Sequence, residues 1–99
     1  MSRVYISGPI TGIPDYNRPA FAAAARALEN MGHEPVNPHD VTPFDPHMDW
    51  ADYLRNDLIA LLGCDAITML PGAHNSRGAA LERHVADALG FPHIEIEWL

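Results

Sequence analysis

Two carboxylates stand where helical periodicity calls for hydrophobes, and together they could work on a sugar. In SRGAALERHVADALG, residues 76–90, a rotation of 100° per residue gathers Leu81, Val85, Ala88 and Leu89 on one side. Arg83, His84 and Asp87 gather on the other, and Glu82 falls inside the apolar arc, between Leu89 and Ala86. Over 49–62, Trp50, Leu54, Leu58 and Leu61 mark the apolar side, and Asp57 falls within it, between Tyr53 and Trp50. A buried carboxylate is costly unless it is paired or hydrogen-bonded. One such acid is commonly structural, bonding a nearby amide or sitting near a helix N-terminus, where it contributes only ~0.3–1 kcal/mol. Two of them in 99 residues point to a shared site.

The chemistry open to such a pair is glycosyl transfer. Glu82 lies within two turns of a helix N-terminus, where the dipole favours its ionised form and burial opposes it. A poorly solvated carboxylate is a competent nucleophile towards an anomeric carbon. A second acid that burial keeps partly protonated can give a proton to the departing base. Asp65 is a third acid, but it begins a strand, so it reads as structural, capping the end of the preceding helix.

The elements that must position these acids follow from the pattern. Arg3–Ser7 is a β-rich run ended by Gly8-Pro9. Asn17 and Pro19 open a helix whose buried stripe is Phe21, Ala24, Ala25, Leu28 and Met31, and Gly32 ends it. Glu34–Asn37 reads as a second strand, and 38–48, with three prolines and two histidines, as a loop. Asp49 caps a helix that runs to Leu62 and closes at Gly63; Asp65–Leu70 is the third strand; Asn75 or Ser76 caps the last helix, closed by Gly90; His93–Glu97 alternates as an edge strand. The order βαβαβαβ predicts a flavodoxin- or Rossmann-like three-layer α/β sandwich around a small parallel sheet, in one domain spanning 1–99. Ligands bind beyond the carboxyl ends of such strands. The segments 7–17, 38–49 and 71–76 lie there.

Composition narrows the classes. Apolar residues are 47% and charged residues 19%, as in an ordinary globule, and the net charge of −7 disfavours long nucleic acid and anionic membrane as partners. A single cysteine, Cys64, permits no internal disulfide; it reads as a small buried hydrophobe in a cytoplasmic protein. No apolar run approaches the ~20 residues of a membrane span, and no leader pattern opens the chain. Six histidines invite a metal reading, yet no HExxH or HxH spacing appears, so no metal and no cofactor are expected. His74 is the histidine expected to line the cleft, with Phe44, Trp50 and Tyr53 near its mouth as base-stacking rings or as a hydrophobic lid. SGPITG, residues 7–12, is neither GxGxxG nor a P-loop; its glycines permit a tight turn or a close backbone approach to a ligand. Ser76 can cap a helix, and its hydroxyl with the free amides can also hold a phosphate, aided by Arg77 or Arg18.

VYISGPITG, NDLIALLGCDAITMLPG and SRGAALERHVADALG together resemble the nucleoside 2-deoxyribosyltransferase superfamily over nearly the whole chain. They resemble in particular its small phage and bacterial branch whose domain is of unknown function, and also its nucleoside 5′-monophosphate N-glycosidases. The resemblance implies that Glu82 is the glutamate that attacks the anomeric carbon, that Asp57 assists the base or sugar, and that Tyr5 positions the glutamate. It implies that the first loop, with Ser7, Gly8, Ile10 and Gly12, holds sugar and phosphate, and that Ser76 and Gly78 hold a 5′-phosphate. Where relatives follow the glutamate with Leu-Gly-Tyr-Ala, this chain has Arg83-His84-Val85-Ala86, and its PGAHN loop is longer. A homodimer or higher homo-oligomer is implied as well, with a neighbouring subunit completing the site. The expected function is cleavage or transfer at the N-glycosidic bond of a nucleoside or nucleoside 5′-monophosphate. The rival is a non-catalytic nucleotide-binding or sensing module on the same fold, and a ligand-free interaction domain is the third reading.

Overall fold

The computed structural model describes residues 2–98. Three strands, β1 (Arg3–Ser7), β2 (Glu34–Val36) and β3 (Ala66–Met69), alternate with α1 (Arg18–Asn30), a single turn α2 (Pro38–Val41), α3 (Trp50–Leu62) and α4 (Arg77–Ala88). The sheet is parallel in the order β2-β1-β3, with Val4 opposite both Pro35 and Ala66. Pro35 is tolerated because β2 is an edge strand and can spare an N–H.

Alternation along β1 sends its side chains to two layers. Val4 and Ile6 pack with Phe21, Ala24 and Leu28 of α1 on one face. Tyr5 packs with Leu61, Ile67 and Ala86 on the other, under α3 and α4. This is the three-layer sandwich read from the sequence, with β1 at its centre.

The fourth strand is reduced to one bridge, Ile67 to His93. The Ile67 amide donates to the Pro92 carbonyl and the Ile94 amide donates to the Ile67 carbonyl. The Thr68 hydroxyl then donates to the Ile94 carbonyl at 2.7 Å, taking the acceptor that the next rung of the ladder would use. The tail leaves the edge there, and Ile94 and Ile96 pack against the α1 layer instead.

Most helix boundaries follow their caps. The Asp49 carboxylate accepts from the Asp52 amide and the Asp52 carboxylate accepts from the Asp49 amide, a reciprocal capping box. The Ser76 hydroxyl accepts from the Ala79 amide. Gly32 and Gly90, just past helix ends, take positive φ of 85° and 75°. Asn17 departs from expectation: its own φ is 61°, and its side chain donates to the Pro9 carbonyl instead of capping α1. Asp65 departs too. Its carboxylate accepts from the Arg3 amide, tying β3 to the start of β1, while the Arg3 guanidinium donates to the Gly63 carbonyl at the end of α3.

Gly8 is where the fold meets the site. A Cβ there would lie 2.8 Å from the Leu70 Cβ, too close without a backbone shift. Gly8→Ala is expected to destabilise the chain by about 1–3 kcal/mol through overpacking. The nearest contact is the Leu70 Cβ, which only glycine lacks, so in thermal melts Gly8→Ala should cost less in a Leu70→Gly background than in wild type; strictly additive destabilisation would show that the two positions do not clash.

Candidate active site

Tyr5 and Ser7 lie on the same face of β1 two residues apart, and α4 crosses above them. The Tyr5 hydroxyl donates to Glu82 Oε2 at 2.6 Å, and the Ser7 hydroxyl donates to Glu82 Oε1 at 2.7 Å. Glu82 is 5% exposed, and Tyr5 and Ser7 are fully buried. Each bond to the charged group contributes about 1.5–3 kcal/mol, which offsets much of the carboxylate's desolvation. The buried residues of α4 are Ala79, Glu82 and Ala86, while Leu81 and Leu89 are exposed. Glu82 therefore sits at the centre of the inward face, between two alanines small enough to bring the helix down onto Tyr5. Of the residues that periodicity gave to the inward side, Leu81, Ala88 and Leu89 are exposed and Val85 is half-buried, so the true inward face is turned by about one residue's rotation and centres on the acid itself.

Glu82 and Asp57 line one cavity of about 200 Å³ at the carboxyl end of the sheet. Gly8 and Ile10 line it from the first loop, and Ser76 and Gly78 from the start of α4. Ser7 lies behind Glu82 and reaches the carboxylate only from the back. Gly12, with φ of 82°, is exposed on the turn and does not line the cavity; Thr11 does. Phe44, Trp50 and Tyr53 line it as expected, and Trp50 carries the Arg77 guanidinium 4.5 Å above its ring. Arg18 lines the cavity and pairs with Asp15 at 2.8 Å.

His74 is exposed on the short turn Ala73–Asn75 and borders a different groove, beside Arg83 and His93. Gly72, at φ 83°, starts that turn away from the cleft. His39 lines the cavity instead, edge-on to Phe21 with ring centroids 4.9 Å apart. Sequence reasoning passed over His39 and Thr42 because both fall in a proline-rich stretch read as loop; their place just after β2, at the carboxyl edge, was the one available signal. Asp15, Tyr16 and Asn17 form three consecutive left-handed residues, and this turn stacks Tyr16 on Phe44 at 6.0 Å. Among the described residues no group of three or more His, Cys, Asp or Glu could hold a metal ion, and no helix is long and apolar enough to cross a membrane.

The two acids differ in surroundings. Burial raises the Glu82 pKa, and the hydrogen bonds from Tyr5 and Ser7 pull it back down. Asp57 is pushed up to about 7, first by burial and then by the Glu82 charge. Tyr5 is raised by burial and by Glu82, so it stays protonated and keeps donating. The two hydroxyl donors favour the charged form of Glu82 against the larger opposing effect of burial, while Asp57, at about 7, shares a proton with solvent near neutrality.

A parallel-sheet α/β sandwich with this acid pair near its strand ends defines the class, a Rossmann-like domain with an acid-lined cleft. The chain belongs to the family described as "Domain of unknown function (DUF4406)", whose model matches residues 2–95. It is similar to a solved 2-deoxyribosyltransferase from the psychrotolerant bacterium Bacillus psychrosaccharolyticus, with TM-score 0.70 and 20% identity, over 92% of this chain and 69% of that one. No curated protein matches the chain in sequence. Of the residues after Glu82, Arg83 and His84 face solvent, Val85 is half-buried and Ala86 is fully buried under the sheet.

The Asp57 shift has a direction in stability. Its carboxyl holds a proton in the folded chain that the unfolded chain has lost, from 3.8 up to about 7. Stability from this group is therefore present below 3.8 and is lost as pH rises towards about 7. Asp57→Asn is expected to melt higher than wild type at pH 8, with the advantage shrinking to nothing at pH 4. Glu82→Gln, by removing a neighbouring charge, should lower the Asp57 pKa in a ¹³C carboxyl NMR titration; an unmoved value would mean the acids do not sense each other.

Proposed function

We propose that the chain cleaves or transfers at the N-glycosidic bond of a nucleoside or nucleoside 5′-monophosphate, with Glu82 as nucleophile. The observation that carries this is a buried carboxylate held by two hydroxyls behind it, sharing a cleft with a second acid of raised pKa. The likeness in fold to a 2-deoxyribosyltransferase supports the same chemistry.

A Glu82 oxygen bonds to C1′ as the bond from C1′ to the base nitrogen breaks. The electron pair leaves with the base, and Asp57 supplies the proton that neutralises it. Asp57, now ionised, takes a proton from water or an incoming base, whose attack on C1′ releases Glu82. Tyr5 and Ser7 are positioning residues: they hold the carboxylate in one orientation and favour its charged form against burial. The free amides at the start of α4, with the Ser76 hydroxyl, suit the 5′ side of the sugar. The substrate is a small molecule, since the cavity has room for one and the chain carries −7 net charge. The domain works without a metal or cofactor, in the cytoplasm, as a homodimer or higher homo-oligomer.

Chromatography of reactions with nucleosides and their 5′-monophosphates is expected to show free base from wild type. Glu82→Gln should abolish release, and Asp57→Asn should slow it by about 10²–10⁴-fold. Tyr5→Phe removes one charge-assisted bond and should cost roughly 10–100-fold. Ligand that binds to wild type and is never cut would identify a sensing module instead.

A further inference from the structure

The cavity lining holds two chemically different groups. One is the acid pair, Asp57 and Glu82. The other is His39, Thr42, Tyr16 and Phe44, with His39 against Phe21 of α1 and Tyr16 stacked on Phe44. His39 Nε2 and Thr42 Oγ1 are both buried from solvent, and neither has a hydrogen-bond partner among the described residues. A buried polar atom left unpaired costs about 1–3 kcal/mol, and folded proteins retain few. Two such atoms on the wall of one cavity are the mark of groups whose partner is the ligand.

We propose that His39 and Thr42 read the hydrogen-bonding edge of the leaving base and set which bases are accepted; this rests on the N-glycosidic reading above. With the anomeric carbon at Glu82 and the 5′ side at the start of α4, the base is the part of the substrate left for His39 and Thr42. Their surroundings suit a flat polar ring. His39 is fixed by its edge-on contact with Phe21 and by its amide, which donates to Asn37 Oδ1. Tyr16 and Phe44 stack beside it and offer aromatic faces. Burial and the Arg18 charge keep the His39 ring neutral, against the opposing pull of the Tyr16 carbonyl and of Asp40 and Asp15. The unpaired Nε2 of a neutral imidazole offers one hydrogen bond, as an acceptor when the other nitrogen faces the Tyr16 carbonyl, and the threonine hydroxyl can donate and accept. The complement is a heterocycle edge that carries donor and acceptor together, such as the amide or amidine edge of a nucleobase. A phosphate, which offers only acceptors, is a poor match.

The test measures binding without turnover, by calorimetry on the full chain carrying Glu82→Gln. Adenosine, inosine, cytidine and uridine are compared with purine riboside, whose ring lacks the exocyclic edge group. At least one natural nucleoside is expected to bind roughly tenfold or more tightly than purine riboside, as for one or two buried hydrogen bonds. Adding Thr42→Val or His39→Phe should bring the two within about threefold by weakening the natural nucleoside more than purine riboside, while Thr42→Ser keeps the preference. Unchanged preference in folded variants, or equal weakening of every ligand, overturns the proposal. So does a change confined to the preference between a nucleoside and its 5′-monophosphate. If no nucleoside or monophosphate binds and wild type releases no base, the N-glycosidic reading falls first and takes this one with it.

Discussion

The site depends on one buried carboxylate with two hydroxyls behind it. Glu82 would be intolerable on the inward face of α4 without the donors from Tyr5 and Ser7. Those donors come from the central strand, at positions whose spacing of two residues puts them on one face of the sheet. The helix can approach closely because Ala79 and Ala86 flank the acid. Strand pleat, helix pitch and small neighbours thus converge on one group. Disturb any of them and an uncompensated charge is left in the core.

The second acid gains its character from the first. Asp57 is less enclosed, has no comparable pair of donors, and feels the Glu82 charge across the cleft. Burial pushes both carboxylates up, but Glu82 has two hydroxyl donors that favour its charged form, while Asp57 is raised to about 7 and exchanges its proton near neutrality. That division of labour is what glycosyl chemistry needs. It arises from packing, with no metal in the scheme.

The loops complete the cleft by less regular means. The left-handed turn at 15–17 is pinned by Asn17 to the first loop and lays Tyr16 against Phe44. The proline-rich stretch after β2 winds one turn of helix and delivers His39 and Thr42 to the cavity wall. Neither arrangement has a periodic signature. This is why His39 went unseen while His74, conspicuous in a glycine-bounded turn, faces solvent elsewhere. Gly12 fails in the same way: a glycine in a loop announces a turn, and the turn decides whether it meets the ligand.

What the sequence determined by itself is whatever has a short-range cause. Alternation marked β1, capping residues marked the starts of α3 and α4, and glycines marked helix ends, because each rests on contacts within a few residues. The two acids were visible for the same reason, as breaks in a local period. Only the tertiary structure decided that they share a cavity, that Tyr5 and Ser7 grip Glu82 from 77 and 75 residues away, and that Thr68 takes the carbonyl that would have extended a fourth strand. Those outcomes depend on which groups meet across the fold, and a buried polar group takes whichever partner the packing brings within reach.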